Sequence, residues 1–360
     1  MVIVVFLLGG VYLGITQYIH TKLTSLPFYL STEEPLTHTP APPQLEDRPN
    51  MGTIAINPDG TFYVFQHPAK GSKGFIHGDS VLENLRLRLR DAVIEYGNLS
   101  STKVYFDIDT VDTPGFALFE SLHRNDPLSC KATREQACCF TGLRLIGIAT
   151  NPCCQCSAPL PIHGNQRQSF IEKMISHVDP YSYDDKVSRA VWHGSNNGHW
   201  EYADVYSREF NLTNPYQRLE HPRKRIVSFK HDHRNEDLLD VSFQKKEWND
   251  ILQYKYIVTV AGNSYAGMLK PALLSNSCVL RQDTLAREWY EDKMTPWVHY
   301  IPVQYDMSDL FEKISWAKEN DLECRKIARQ GRTFALENFA ESAVNKYVHS
   351  TLGKTIPVEW

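Results

Sequence analysis

Two stretches of this 360-residue sequence are suited to acid–base work and to holding an anion. From Val104 to Val111 the residues alternate as in a strand, with Val104, Phe106 and Ile108 on one face and Tyr105, Asp107 and Asp109 on the other. Asp112 follows just past the carboxyl end of that run, where a carboxylate can face a hydroxyl and take its proton. Asp107 and Asp109 form a D-x-D pair able to hold Mn2+ or Mg2+ through oxygen ligands, although two acids on a strand's wet face is the simpler account. The second stretch is the apolar run Tyr256–Val260, which stops at Ala261-Gly262-Asn263-Ser264-Tyr265-Ala266-Gly267-Met268 and continues into a helix-like Leu269-Lys270-Pro271. Small residues at a strand-to-helix turn let main chain approach a ligand, and the amides of a helix start attract an anion such as a diphosphate. Ser264 adds a hydroxyl and Tyr265 a ring or phenol, while Pro271 suits a first helical turn. The turn matches neither a P-loop nor G-x-G-x-x-G.

The elements that must hold these residues are legible in outline. Residues 53–65 read as a hairpin around Asn57-Pro58-Asp59-Gly60. Ser80 with Glu83 resembles a capping box before a helix whose buried stripe is Val81, Leu85, Leu89, Ala92 and Val93. Its other face carries Arg86, Arg88 and Arg90, expected in solvent. Residues 168–177 read as helix, 189–192 and 225–229 as strands, 245–254 as a short helix and 297–303 as a strand. A helix over 307–319 has Asp306 as its cap and Asp309 in its first turn, and 321–350 reads as one amphipathic helix or a pair. Strands alternating with helices through 225–350 predict an α/β domain with a parallel sheet, and ligands at the carboxyl ends of its strands. Residues 51–180 also mix strands and helices.

Bulk composition narrows the classes. The net charge of −4 offers no global basic field, so nucleic acid is not an expected partner, despite the local run His221-Pro222-Arg223-Lys224-Arg225. Residues 1–19 carry no charged side chain and are long enough for a membrane-crossing signal anchor, with a cleaved signal peptide or a buried helix as alternatives. Residues 20–50 hold six prolines among polar residues and read as a stem. Asn98-Leu99-Ser100 and Asn211-Leu212-Thr213 are glycosylation triplets. Cys130, Cys138, Cys139, Cys153, Cys154 and Cys156 are dense enough for disulfides in an oxidising compartment, with a zinc site or free thiols as rivals. Cys278 and Cys324 read as small buried apolar residues.

Several blocks together resemble the capsule-associated glycosyltransferases, glycosyltransferase family 90, which includes Rumi-like protein O-glucosyltransferases and fungal β-1,2-xylosyltransferases. They are Lys255-Tyr256 with its strand, Gly262–Gly267, Ser275–Leu280, Glu288-Trp289-Tyr290 and Pro296–Val303. Upstream, Ala190-Val191-Trp192-His193-Gly194-Ser195 is similar to the family's W-R-G-S segment. The resemblance implies a GT-B-like α/β fold, two Rossmann-like domains facing a cleft. It divides the chain into an anchor (1–19), a stem (20–50), an acceptor-side domain with the Cys-rich segment (51–185), a nucleotide-sugar domain (186–350) and a tail (351–360).

The activity implied is inverting, metal-independent transfer of glucose or xylose from a UDP-sugar to a hydroxyl of a glycan or protein, without a cofactor. Asp112 matches the family's general base. The donor would lie on Asn263–Met268 with Gly262 and Lys270, and near Trp192, His193, Gly194, Ser195 and Asn196. The implied location is the Golgi or endoplasmic reticulum membrane, single-pass type II with the catalytic part luminal.

Three positions depart from the pattern: His193 replaces the Arg of W-R-G-S, Ala261 precedes the loop glycine, and Met268 stands where a basic residue is usual. Lys270, Arg281, Arg223 and Arg225 are candidates to restore the charge, each otherwise a solvated base. Trp192, Trp289, Trp297 and Tyr300 are expected in the core rather than on a base or sugar, and His299 is expected to be structural. The departures keep two other classes open. One is a non-catalytic luminal binding protein on the same fold. The other is a metal-dependent GT-A-like transferase using Asp107 and Asp109.

Overall fold

The computed structural model describes residues 51–66, 78–101, 104–109, 144–147, 157–162, 168–177, 179–196, 222–231, 237–262, 265–284 and 287–353. The expected anchor (1–19), the stem, the six clustered cysteines, the Asn211 triplet, Asn263, Ser264 and Asp112 lie outside these residues; of the expected tail, residues 351–353 belong to the last helix and 354–360 lie outside. Among the described residues no helix is long and apolar enough to cross a membrane.

Two five-stranded sheets organise the chain. The first has the order β2-β1-β3-β4-β5, built from β1 (Met51–Ile56), β2 (Phe62–Gln66), β3 (Val104–Asp109), β4 (Arg144–Gly147) and β5 (Ser157–Pro159). Strand β1 runs antiparallel to β2 and β3, and β3, β4 and β5 run parallel. Helix α1 (Gly78–Tyr96) covers it, with Val81, Leu85, Leu89 and Ala92 buried against Ile54, Ile56 and Phe106. Helix α2 (Gln168–Ser176) leads into the second sheet.

The second sheet, order β10-β9-β8-β6-β7, is parallel throughout, as the strand–helix alternation predicts. Its strands are β6 (Val187–His193), β7 (Leu239–Ser242), β8 (Tyr254–Thr259), β9 (Cys278–Gln282) and β10 (Ile301–Val303). The helices between and after them are α3 (Pro222–Ser228), α4 (Trp248–Ile251), α5 (Leu269–Leu274), α6 (Leu310–Glu319), α7 (Asp321–Phe339) and α8 (Glu341–Gly353). Alternate residues serve opposite faces. Trp192, Val258 and Leu280 pack with α6 and the start of α7, while Val191, Ile257 and Val279 pack with α5 and the end of α7. Burial on both faces explains why these strands read as continuous apolar runs; each such side chain contributes about 1.5–3 kcal/mol. Cys278 and Cys324 are free and buried here, in the role expected of them.

Local expectations needed correction at five points. Residues 225–229 are not a strand: Pro222, at the first helical position where its missing N–H costs nothing, starts α3, and Ile226 is its buried anchor. Arg88 is not in solvent but 3% exposed, with Nε donating to the Pro161 carbonyl at 3.2 Å. Helix α1 begins at Gly78, so Ser80 lies inside it rather than capping it. Helix α6 begins at Leu310 with Asp309 in the cap position, while Asp306 accepts from the Ser308 amide and shapes the preceding turn. Strand β10 is shorter than expected because residues 297–299 form a turn.

Helix α8 returns to the first sheet. Val348 and Leu352 enter the core built by α1 and β3. Asn345 donates to Glu95 at 2.9 Å, His349 Nε2 to the Asn98 carbonyl at 3.1 Å, and Tyr347 to the Pro159 carbonyl at 2.8 Å.

Candidate functional site

A parallel sheet collects the carboxyl ends of its strands on one edge. In the second sheet that edge gathers His193, Ser242, Val260-Ala261-Gly262 and Gln282. Two stretches that the resemblance assigns to the donor therefore meet there, the segment Trp192–Asn196 at the end of β6 and the turn after β8.

One side chain joins them. Arg223, in the first turn of α3, donates from Nε to the Ala261 carbonyl at 3.1 Å and from Nη1 to the Ser195 carbonyl at 3.1 Å. Longer contacts reach Ser195 Oγ at 3.4 Å and the Val260 carbonyl at 3.5 Å. Its guanidinium carbon lies 5.8 Å from the centre of the Trp192 ring. Burial lowers its pKa to about 10, which leaves it charged at neutral pH. The two glycines of the site are explained by this packing. A Cβ on Gly262 would sit 2.7 Å from Arg223 Nη2, and one on Gly194 would sit 2.8 Å from the Trp192 ring.

The turn after β8 is held partly by its own main chain. Gly262 N–H donates to the Tyr265 carbonyl at 3.4 Å, and Leu269 N–H to that of Ala266 at 2.9 Å. Ala261 N–H donates to Gln282 Oε1 at 3.0 Å, and Gln282 Nε2 donates to the Tyr305 carbonyl at 2.7 Å. Gln282 thus ties the ends of β8 and β9 to the turn after β10, a role its position in a buried apolar strand gave no reason to expect. Helix α5 has only six residues, so its dipole is a weak source of positive charge. Gly267 is exposed, and Met268 is half-buried against the apolar clusters on both faces of the sheet.

The other bases nominated to restore charge are placed elsewhere. Lys270 is 0% exposed and ion-paired with Glu288, so it does not reach the edge in this arrangement. Arg281 is buried, donates to Glu291 at 2.9 Å and lies 5.4 Å from the Tyr300 ring. Arg225 lies over Phe229 at 5.8 Å. His193 turns towards β7, with Nε2 3.1 Å from Asp240 Oδ1 and Nδ1 donating to the Gln244 carbonyl at 3.1 Å. Burial pushes the Asp240 carboxyl up, but hydrogen bonds from Lys246, Tyr254 and His193 outweigh that and hold its pKa at about 2. The solvated positions expected for Lys270 and Arg281 are therefore corrected by the structure. A base that covers apolar area and meets a distant acid leaves no local sequence signal.

Trp192, Trp289 and Tyr300 are buried in the core as expected. Trp297 is not: it is 42% exposed, has a left-handed φ of 64°, and packs edge-on to Trp316 at 4.8 Å. It precedes β10 and so lies at the amino edge, away from the two stretches. His299 is structural, its Nδ1 accepting from the Thr295 amide at 2.9 Å. Asp107 and Asp109 lie in β3, opposite Thr53 and Met51 of β1; their side chains are outside the described structure, as is Asp112. A cavity of about 490 Å³ opens at the amino edge between α2, α4 and α5 and holds none of the nominated residues.

Comparison with known proteins bears on the same half of the chain. Protein O-glucosyltransferase 2 of Danio rerio is 32% identical over 178 residues, which is 49% of this chain and 34% of that protein. Protein O-glucosyltransferase 3 of Homo sapiens is 38% identical over 105 residues, 29% of this chain and 21% of that protein. Uncharacterized protein 035R of Invertebrate iridescent virus 3 is 38% identical over 104 residues, 28% of this chain and 10% of that protein. The chain thus spans about a third or less of the length of these relatives. Residues 159–354, which include β6 to α8, the Trp192–Asn196 segment and the turn after β8, match the family described as Glycosyl transferase family 90, and the chain belongs to that family.

Proposed function

We propose that this chain transfers a sugar from a UDP-sugar to a hydroxyl of a glycan or protein, with inversion and without a metal. The observation that carries the reading is the Arg223 guanidinium, which bridges Ser195 and Ala261 at the carboxyl edge of the parallel sheet. A fixed, partly desolvated cation at that edge suits the charge that builds on a departing diphosphate, and it replaces the arginine lost at His193. In this reading the acceptor oxygen bonds to the anomeric carbon as the bond to the diphosphate breaks. UDP leaves with the electron pair, and Asp112 takes the acceptor's proton. The two α/β sheets form the two halves of a GT-B-like arrangement. Glucose is favoured by the names of the relatives and xylose by the family resemblance. A luminal position behind an anchor at residues 1–19 completes the proposal.

The test is UDP binding by calorimetry, together with a screen of UDP-glucose and UDP-xylose for thermal protection and for turnover with and without EDTA. UDP binding with EDTA-resistant transfer is expected. Turnover abolished by EDTA would move the reaction to a metal-dependent scheme using Asp107 and Asp109. A second reading, a nucleotide-sugar binder without turnover, is favoured by His193 facing Asp240 and by Met268 where a base is usual. UDP affinity without turnover, unchanged in Asp112→Asn, would select it.

A further inference from the structure

Tyr265 belongs to the turn after β8 of the second sheet, yet its side chain, 8% exposed, lies in the apolar core of the first sheet with Leu160, Ile162 and Val348. The Lys270 ammonium sits 5.2 Å from the centre of its ring and 5.6 Å from that of Tyr290. Lys270 is ion-paired with Glu288, whose Oε2 accepts from the Tyr290 hydroxyl at 3.0 Å. The Glu288 amide donates to Glu291, which holds Arg281 of β9. A buried chain of charge therefore runs from β9 to the Tyr265 ring, which also belongs to the first sheet's core. Removing a lysine from water is unfavourable unless its partners are fixed, so the ring and the carboxylate must stay in place together.

We propose that Tyr265 is a positioning residue: it pins the turn after β8 to the core of the first sheet, so the nucleotide's seat exists only when the two halves are docked. Lys270, nominated from the sequence as a ligand, acts in this scheme through Tyr265 and not on the donor. The proposal rests on reading the turn as part of the nucleotide site.

The test compares the full chain with Tyr265→Phe and Tyr265→Leu, using hydrogen–deuterium exchange of amides 265–270 and UDP affinity by calorimetry. Tyr265→Phe keeps the ring and is expected to retain the protection of that segment and most of the UDP affinity. Tyr265→Leu is expected to lose protection in that segment and to bind UDP about tenfold more weakly, while amides of β8 and β9 stay protected. Should Tyr265→Leu fail to fold, the triple variant Lys270→Met/Glu288→Leu/Tyr290→Phe removes the charge beneath the ring while keeping the volume, and the same loss is expected. Unchanged exchange in a folded Tyr265→Leu or triple variant overturns the proposal. If the unaltered chain binds no UDP, the nucleotide reading fails, and the exchange comparison still decides whether Tyr265 pins the turn.

Discussion

Removing the guanidinium of Arg223 tests the site most directly. Arg223→Met keeps the aliphatic stem and deletes the donors; Arg223→Lys keeps one charge but not the fork. Two bonds of 3.1 Å, to Ala261 and Ser195, are lost in the first variant. Each hydrogen bond to a charged group contributes about 1.5–3 kcal/mol, and water entering the edge recovers part of that, so a stability loss of about 2–4 kcal/mol is expected. The catalytic loss is separate. Deleting one preorganised donor facing a developing negative charge costs about 10²–10³ in rate, or about 2.7–4 kcal/mol. Arg223→Lys should recover UDP affinity only in part, because one ammonium cannot reach both carbonyls in a fork. The assay is calorimetric UDP affinity with initial rates of UDP release from the preferred UDP-sugar. Circular dichroism confirms that each variant is folded at the assay temperature. If folded Arg223→Met binds UDP and turns over within about twofold of the original, the assignment of Arg223 to the leaving group is wrong.

Asp240 sets a pH dependence. Its folded pKa, about 2, is below the unfolded value of about 3.9, so its contribution is present above pH 4 and lost as pH falls towards 2. With partial screening by solvent the contribution is about 1–2 kcal/mol, and the melting temperatures of Asp240→Asn and the original should differ at pH 7 and converge near pH 2. Gly331→Ala places a Cβ 2.6 Å from the His299 carbonyl oxygen, where α7 crosses the turn before β10. Because the obstacle is main chain, a loss of about 1–3 kcal/mol in urea unfolding is expected, whereas alanine at an open helical glycine would stabilise.

The second sheet was legible because its strands are buried on both faces and separated by helices, so β-branched runs such as Tyr256–Val260 stand out without any alternation. The turn after β8 was legible for a related reason: only small residues let Arg223 approach Gly262. What stayed hidden was the pairing of charges. Lys270 with Glu288 and Arg281 with Glu291 are separated by 18 and 10 residues, too far apart for any local spacing pattern to show. Arg88 deceived for the same reason, its partner at Pro161 being 73 residues away. The helix at Pro222–Ser228 was misread because Ile226-Val227 looks like a strand core when isolated. The proline that starts the helix carried the better information.

The return of α8 has a consequence for synthesis. Asn345 and its partner Glu95 are 250 residues apart. A ribosome adding about 5–20 residues per second needs roughly 10–50 s to cover that interval. Through that interval α1 is made but lacks Val348 and Leu352, and once β5 is added the first sheet waits with it, so part of their apolar surface stays open. This half is therefore completed late although it is translated early. A stop codon placed before Val344 would therefore remove cover from elements laid down some 250 residues earlier.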